Sequence, residues 1–177
     1  MKLNIKIAMS TFLILLSLLC SKALYAHVMV AQHGTLNVVE NGVYMVISLP
    51  VSAFAGIDED LDSKLSAEEF ATHRLSIIDT VHSKITLKDD SGKLALQGIM
   101  LSPVTDHHSP KAPATQLVVM GRYTLVKPNS EFEYQVNLFG QGAAEKSLEI
   151  TATNKLNGRK QVVKLFPKKS NVLLFEE

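Results

Sequence analysis

Six residues between positions 58 and 69 can present oxygen atoms to one metal ion in a regular order. The segment reads DEDLDSKLSAEE. Its first, third, fifth, seventh, ninth and twelfth positions hold Asp58, Asp60, Asp62, Lys64, Ser66 and Glu69. This order supplies three carboxylates, a backbone carbonyl, a hydroxyl that can hold a water molecule, and a final carboxylate that can bind through both oxygens. Such a bulky, all-oxygen set suits Ca²⁺ better than Mg²⁺, which demands a near-ideal octahedron. The spacing therefore predicts one calcium site.

The segment resembles the calcium-binding loop of the EF-hand family, as found in periplasmic EF-hand proteins of Gram-negative bacteria. Leu65 is the apolar residue that such loops carry at position 8, and Glu69 opens a predicted helix, as the exiting half of an EF-hand requires. The resemblance covers the twelve loop residues and the helix after them. It implies side-chain ligation by four residues, Asp58, Asp60, Asp62 and Glu69. It also implies that Lys64 binds through its carbonyl and Ser66 through a water molecule.

Two features depart from the EF-hand pattern. Ser63 occupies position 6, where the family has glycine because the chain turns there with a positive φ. Serine in that conformation costs roughly 1 kcal/mol, so calcium affinity should fall without vanishing. Pro50 and Gly56 leave room for no more than one helical turn before the loop. A lone loop is typical of weaker sites, and extracellular modules have dissociation constants of about 10⁻⁴ to 10⁻³ M.

An acidic surface turn without a metal is the simplest alternative interpretation of residues 58–69. Such turns seldom combine an apolar residue at position 8, a small hydroxyl at position 9 and a glutamate at position 12, so the combination favours calcium. A structural ion that fixes the junction between the strand ending at Leu49 and the following helix is favoured over a signalling role. Signalling would need paired loops and a groove that opens, and the sequence indicates neither.

The histidines give a second, separate metal hypothesis. If a leader is cleaved after Ala26, His27 offers both its α-amine and its imidazole to one ion. Together with the Asp-x-His spacing at Asp106 and His108, this resembles the pattern of periplasmic copper carriers, and His33 can add a further nitrogen. The resemblance implies a Cu²⁺ or Zn²⁺ site made of these four residues. Solvent-facing loop histidines are the competing interpretation.

The first 26 residues are predicted to be a secretory signal peptide. Two lysines precede an uncharged apolar run at 7–19, which is shorter than the roughly 20 residues of a membrane span. Cleavage after Ala23 and cleavage after Ala26 are both compatible with the small residues there, and the second leaves 27–177 as a single domain. Its removal takes away three of the 18 basic residues and none of the 17 acidic ones. The remaining 15 basic and 17 acidic residues give a net charge of −2. The only cysteine is also removed, which suits a periplasmic or secreted protein.

Most of the processed chain reads as β-strands. Residues 131–138 alternate most clearly, with Phe132, Tyr134, Val136 and Leu138 on one face. Asn-Gly dipeptides at 41–42 and 157–158 predict tight hairpin turns with positive φ angles. The predicted strands cover residues 36–39, 43–49, 85–88, 94–101, 115–125, 131–138, 147–153 and 160–166. This spacing predicts a mainly β fold, an antiparallel β-sandwich of immunoglobulin-like type.

One helix interrupts the strands directly after the acidic loop. Ser66 and Glu69 have the spacing of a capping box, which marks the start of a helix. Phe70, Ile77 and Val81 then recur at helical spacing, which predicts a helix over residues 67–84. The loop and helix are therefore expected as one insertion after the first hairpin of the sandwich.

The remaining sequence indicates no common catalytic motif. It has no Gly-x-Ser-x-Gly elbow, no glycine-rich phosphate loop and no His-Glu-x-x-His helix, so a non-catalytic protein is expected. A near-neutral charge without a basic stripe makes nucleic acid an unexpected partner, and no apolar stretch after residue 26 is long enough to span a membrane. We expect an exported calcium-binding protein, in which calcium is structural or supports contact with a protein partner in the envelope. A copper or zinc carrier, and an adaptor subunit for which calcium is incidental, stay open as alternatives.

Overall fold

The computed structural model describes residues 30–105, 109, 112–126 and 131–176 of the 177-residue chain. Within these ranges the strands are β1 His33–Val39, β2 Gly42–Pro50, β3 Ile85–Asp89, β4 Gly92–Lys93, β5 Leu96–Val104, β6 Gln116–Thr124, β7 Phe132–Val136, β8 Leu148–Asn154, β9 Lys160–Leu165 and β10 Asn171–Leu174. The helix α1 spans Ala67–Lys84, and short 3₁₀ turns lie at Val51–Ala53 and Ala143–Glu145. The predicted signal peptide lies outside the described residues.

Two sheets form the predicted β-sandwich. The larger has the strand order β5-β6-β2-β1-β8-β9, and the smaller has the order β10-β7-β3-β4. One hydrophobic core lies between them, where Tyr123 of the larger sheet and Tyr134 of the smaller sheet are fully buried. Both phenol hydroxyls donate to the Met45 sulfur, at 4.0 and 3.4 Å, and burial raises the pKa of both tyrosines. The mainly β architecture with one helix is confirmed.

The larger sheet contains one parallel pair of strands among its antiparallel pairs, a detail that the sequence pattern did not predict. β8 runs parallel to β1, with Gly34 opposite Ile150 and Leu36 opposite Ala152. The chain reaches β8 from β7, a strand of the other sheet, and so it can enter beside β1 in the same direction. Pairing between such distant segments leaves no trace in a local alternation pattern. β4 and β10 were not predicted either, because two and four residues are too short to show alternation.

The first hairpin turn is also shifted from its predicted position. Val39 pairs with Gly42, so the turn residues are Glu40 and Asn41, and Glu40 carries the positive φ of 50°. Gly42 instead serves close packing, since a Cβ atom there would lie 2.8 Å from Arg122 Nε. At the second predicted turn, Gly158 has the expected positive φ, at 75°.

The helix α1 has the predicted bounds. Ser66 Oγ accepts a hydrogen bond from the Glu69 backbone N–H, and the Glu69 side chain accepts from the Ser66 backbone N–H, which completes the capping box. Ile77 and Val81 are buried in the core, and β3 begins at the residue after Lys84. The helix thus lies against β3 and β5. No helix in the described ranges is both long and apolar enough to cross a bilayer.

The buried side of α1 should contribute much more to stability than its exposed side. Ile77 has no solvent exposure, and Leu75 on the same helix is 74% exposed. We predict that Ile77→Ala lowers the free energy of unfolding by about 2–5 kcal/mol, because it leaves a cavity in the core. Leu75→Ala, the matched control, should change it by less than about 0.5 kcal/mol. Chemical denaturation of both variants measures the difference, and equal effects would contradict the packing described above.

Candidate metal centre

The acidic loop, defined as residues 58–69, is held by structure on both sides. A single 3₁₀ turn at Val51–Ala53 precedes it, so the one-turn entry expected from Pro50 and Gly56 is confirmed. Leu65 at position 8 is buried in the core. Its backbone N–H and carbonyl exchange two hydrogen bonds with Ala114, each 2.8 Å long. The loop is therefore tied directly to the backbone just before β6.

Ser63 adopts the backbone conformation that glycine has in the EF-hand pattern. Its φ is +64°, and Leu61 two residues earlier has a φ of +61°. Left-handed conformations of non-glycine residues cost roughly 1 kcal/mol each, so the acidic loop stores strain at two positions. The turn predicted at position 6 is thus present although the residue is serine.

Three of the predicted ligands converge. Asp58, Asp60 and Glu69 each place one carboxylate oxygen within 4.8 Å of the others. A cleft of about 380 Å³ beside the loop gives solvent access to Asp60 and Glu69. An all-oxygen, negatively charged set at this spacing fits a hard divalent cation. These three residues are therefore the core of the candidate site.

Backbone N–H groups hold the aspartates of the acidic loop in position. Asp58 accepts from the Asp62 N–H at 3.1 Å and from the Ser63 N–H at 2.9 Å, and Asp60 accepts from the Asp62 N–H at 3.2 Å. The Asp62 carboxylate is not part of the converging group, and its Oδ1 accepts from the Lys64 N–H at 2.8 Å. Asp62 would become the fourth carboxylate of a bound ion only if one of its oxygens moved toward the other three carboxylates.

Glu69 is the most strongly constrained residue of the candidate site. It is only 8% exposed. Its Oε1 accepts from the Glu59 N–H at 2.7 Å, and its Oε2 accepts from the Ser66 N–H at 2.8 Å and the Ser66 hydroxyl at 2.7 Å. These hydrogen bonds, led by the Ser66 backbone N–H, lower the pKa of Glu69 to about 2. The carboxylate is therefore ionised at neutral pH, as a calcium ligand must be.

The sequence prediction missed one side-chain contact that joins the loop to the helix. His73 Nε2 lies 2.8 Å from Glu59 Oε1. His73 lies four residues after Glu69, so the side chains of His73 and Glu69 share one face of the helix. This spacing could have predicted that His73 lies beside the acidic loop. The contact fixes loop position 2 against the second turn of α1.

The copper hypothesis falls largely on residues that the structure does not describe. His27, Asp106 and His108 lie outside the described ranges. His33 is at the start of β1, where its Nδ1 lies 2.8 Å from the Ala31 carbonyl oxygen and its Nε2 lies 3.5 Å from Glu149 Oε1. Both nitrogens of His33 are thus placed beside protein oxygens.

The sequence matches no protein-family model and no curated protein. The functional proposal below therefore draws on the spacing and geometry of the acidic loop.

Relief of backbone strain at position 6 gives a direct test of the loop geometry. We predict that Ser63→Gly raises the free energy of unfolding by roughly 1 kcal/mol, because glycine adopts a positive φ without a Cβ clash. Ser76→Gly is the matched control, since this serine is exposed in the middle of α1, and there the same substitution should be destabilising by about 0.5 kcal/mol. Thermal and chemical unfolding measure both. Destabilisation by Ser63→Gly would show that position 6 does not have the left-handed conformation.

Proposed function

We propose that this chain is an exported, non-catalytic calcium-binding protein with one calcium site in the acidic loop. The observation that carries the proposal is the convergence of Asp58, Asp60 and Glu69 within a segment whose spacing resembles an EF-hand loop. Export to the periplasm or the exterior is proposed from the apolar leader at residues 1–26. In the bound state Asp62 would join by rotation, with the Lys64 carbonyl and a water held by Ser66 completing the oxygen set.

The proposed role of calcium is to fix the junction between the larger sheet and α1. The loop begins shortly after β2 ends and finishes inside the capping box of the helix, and Leu65 is bonded to Ala114 between these points. A cation held there neutralises carboxylates that otherwise repel one another across less than 5 Å. The unfolded chain cannot assemble these oxygens, so binding stabilises the folded state by mass action.

A structural role accounts for the surroundings of the acidic loop better than a sensing role. Sensor proteins use a helix pair that opens to expose an apolar groove. Here the segment before the loop is a single 3₁₀ turn, and the position-8 backbone is bonded to the sandwich at Ala114. The binding free energy therefore goes into clamping the fold. Any contact with a protein partner in the envelope would use the surface that this clamp holds in place.

Calcium titration tests the proposed site and its key ligand together. On the chain from residue 27, we expect one calorimetric site, with a dissociation constant of about 10⁻³ M or tighter. Calcium at a hundred times that constant should add about 2.7 kcal/mol to the free energy of unfolding. Glu69→Gln should abolish the calcium-dependent rise in melting temperature. Glu68→Gln, an exposed neighbour that the pattern does not use, should keep it.

Two outcomes would contradict the proposal. One is the absence of heat and of any melting shift at calcium several times the roughly 10⁻³ M limit of weak sites. The other is equal loss of the calcium response in Glu69→Gln and Glu68→Gln, which would indicate diffuse attraction of cations to an acidic surface.

A further inference from the structure

One third of the basic residues of the chain lie in a single segment of fifteen residues. The segment, residues 155–169, follows β8 and contains β9, and it will be called the basic hairpin. It has no acidic residue and carries six of the 18 basic residues of the chain, all six exposed: Lys155, Arg159, Lys160, Lys164, Lys168 and Lys169. The sequence prediction expected no basic stripe, because the net charge of the whole chain is near neutral and does not show that basic residues are concentrated in this segment.

The sheet arranges these cations as a strip. β9 is an edge strand of the larger sheet, and Lys160, Val162 and Lys164 alternate on its outer face. Lys155 and Arg159 lie in the turn before β9, and the remaining two lysines lie in the turn after it. The six residues of β9, at about 3.3 Å each, separate the two turns by roughly 20 Å, so the cations are spread along at least that length.

Little within the described part of the molecule neutralises the strip. Among the described residues, one of its six cations lies within 4 Å of a carboxylate oxygen. This cation is Lys164, whose Nζ is 3.7 Å from Glu149 Oε2. Glu149 is shared with His33, and the Arg159 guanidinium donates to the Glu176 backbone carbonyl. The basic hairpin therefore keeps a large excess of positive charge that faces solvent.

Exposed apolar side chains lie between the cations. Leu156, Val162 and Phe166 are 45%, 54% and 43% exposed. Lysine and arginine reach outward on long aliphatic stems, so shorter apolar side chains between them can enter an apolar boundary while the charges stay at a polar one. That combination matches the headgroup region of a bilayer. Nucleic acid would instead favour stacking platforms, and the strip offers one aromatic residue, Phe166.

We propose that the basic hairpin docks this protein onto a bilayer that contains anionic lipids. The six cations would lie at the lipid phosphates, and Leu156, Val162 and Phe166 would enter the boundary between headgroups and acyl chains. The attachment is peripheral and reversible, and it is independent of the proposed calcium site. It gives an exported protein a means of staying at the envelope surface.

Vesicle sedimentation tests the proposal on the protein purified after export, with its N-terminus checked by mass spectrometry. We expect binding to vesicles of phosphatidylcholine with one quarter phosphatidylglycerol, little binding to phosphatidylcholine alone, and release at high salt. Each lysine at an anionic surface contributes about fivefold, so Lys160→Gln/Lys164→Gln should weaken binding roughly 25-fold. Lys84→Gln/Lys93→Gln removes the same charge from exposed positions at the end of α1 and in β4, and it should stay within about twofold of the parent.

A third variant separates a bilayer from a soluble polyanion. Val162→Ser keeps every charge and removes one inserting side chain, so it should weaken binding to the anionic vesicles and leave binding to heparin or single-stranded DNA unchanged. Melting curves confirm that each variant is folded. Equal weakening by the two lysine pairs, equal binding to both vesicle types, or tighter binding to heparin or DNA than to vesicles would each overturn the proposal.

Discussion

The Glu69 carboxylate is the interaction on which both the helix and the acidic loop depend. One oxygen accepts from the Ser66 N–H and hydroxyl and so caps α1, and the other accepts from the Glu59 N–H and so closes the loop. Because one rigid carboxylate makes both sets of bonds, the direction of the helix and the path of the loop are fixed together. The low pKa of Glu69 follows from the same donors. A calcium ion would therefore bind where the chain already holds negative charge in place.

This arrangement would have two opposing effects on the proposed binding of calcium. The hydrogen bonds to Asp58, Asp60 and Glu69 preorganise the carboxylates, which lowers the entropy that binding must overcome. The same N–H groups compete with the ion for oxygen lone pairs, and the left-handed Ser63 adds strain. Calcium can share Asp and Glu oxygens with N–H donors because each carboxylate has about four lone-pair sites. At the proposed calcium site, this balance would give modest affinity, with three carboxylates already close together and Asp62 still to move.

Local patterns predicted this structure well, and long-range pairing did not follow from them. The helix α1 agrees with the prediction of a helix at about 67–84, because its start is encoded locally by the capping box of Ser66 and Glu69. In β7, the alternation of apolar and polar residues likewise matches the alternation of buried and partly exposed side chains. The parallel pairing of β1 with β8 joins segments more than one hundred residues apart in the sequence. The residue pattern of neither strand indicates which strand it pairs with. The convergence of Asp58, Asp60 and Glu69 followed from spacing, and the separate position of the Asp62 carboxylate, which accepts from the Lys64 N–H, did not.

The pairing of Leu65 with Ala114 explains why a single loop can hold its shape in this fold. An isolated acidic loop with two left-handed residues would lose conformational entropy without compensation. Here two backbone hydrogen bonds and a buried leucine join the loop to the chain entering β6, the central neighbour of β2 and β5. Loosening of the loop would therefore disturb the larger sheet, and ordering of the loop by an ion would strengthen that sheet. If the acidic loop binds an ion as proposed, the pairing of Leu65 with Ala114 would link its occupancy to the stability of the sandwich without a second loop.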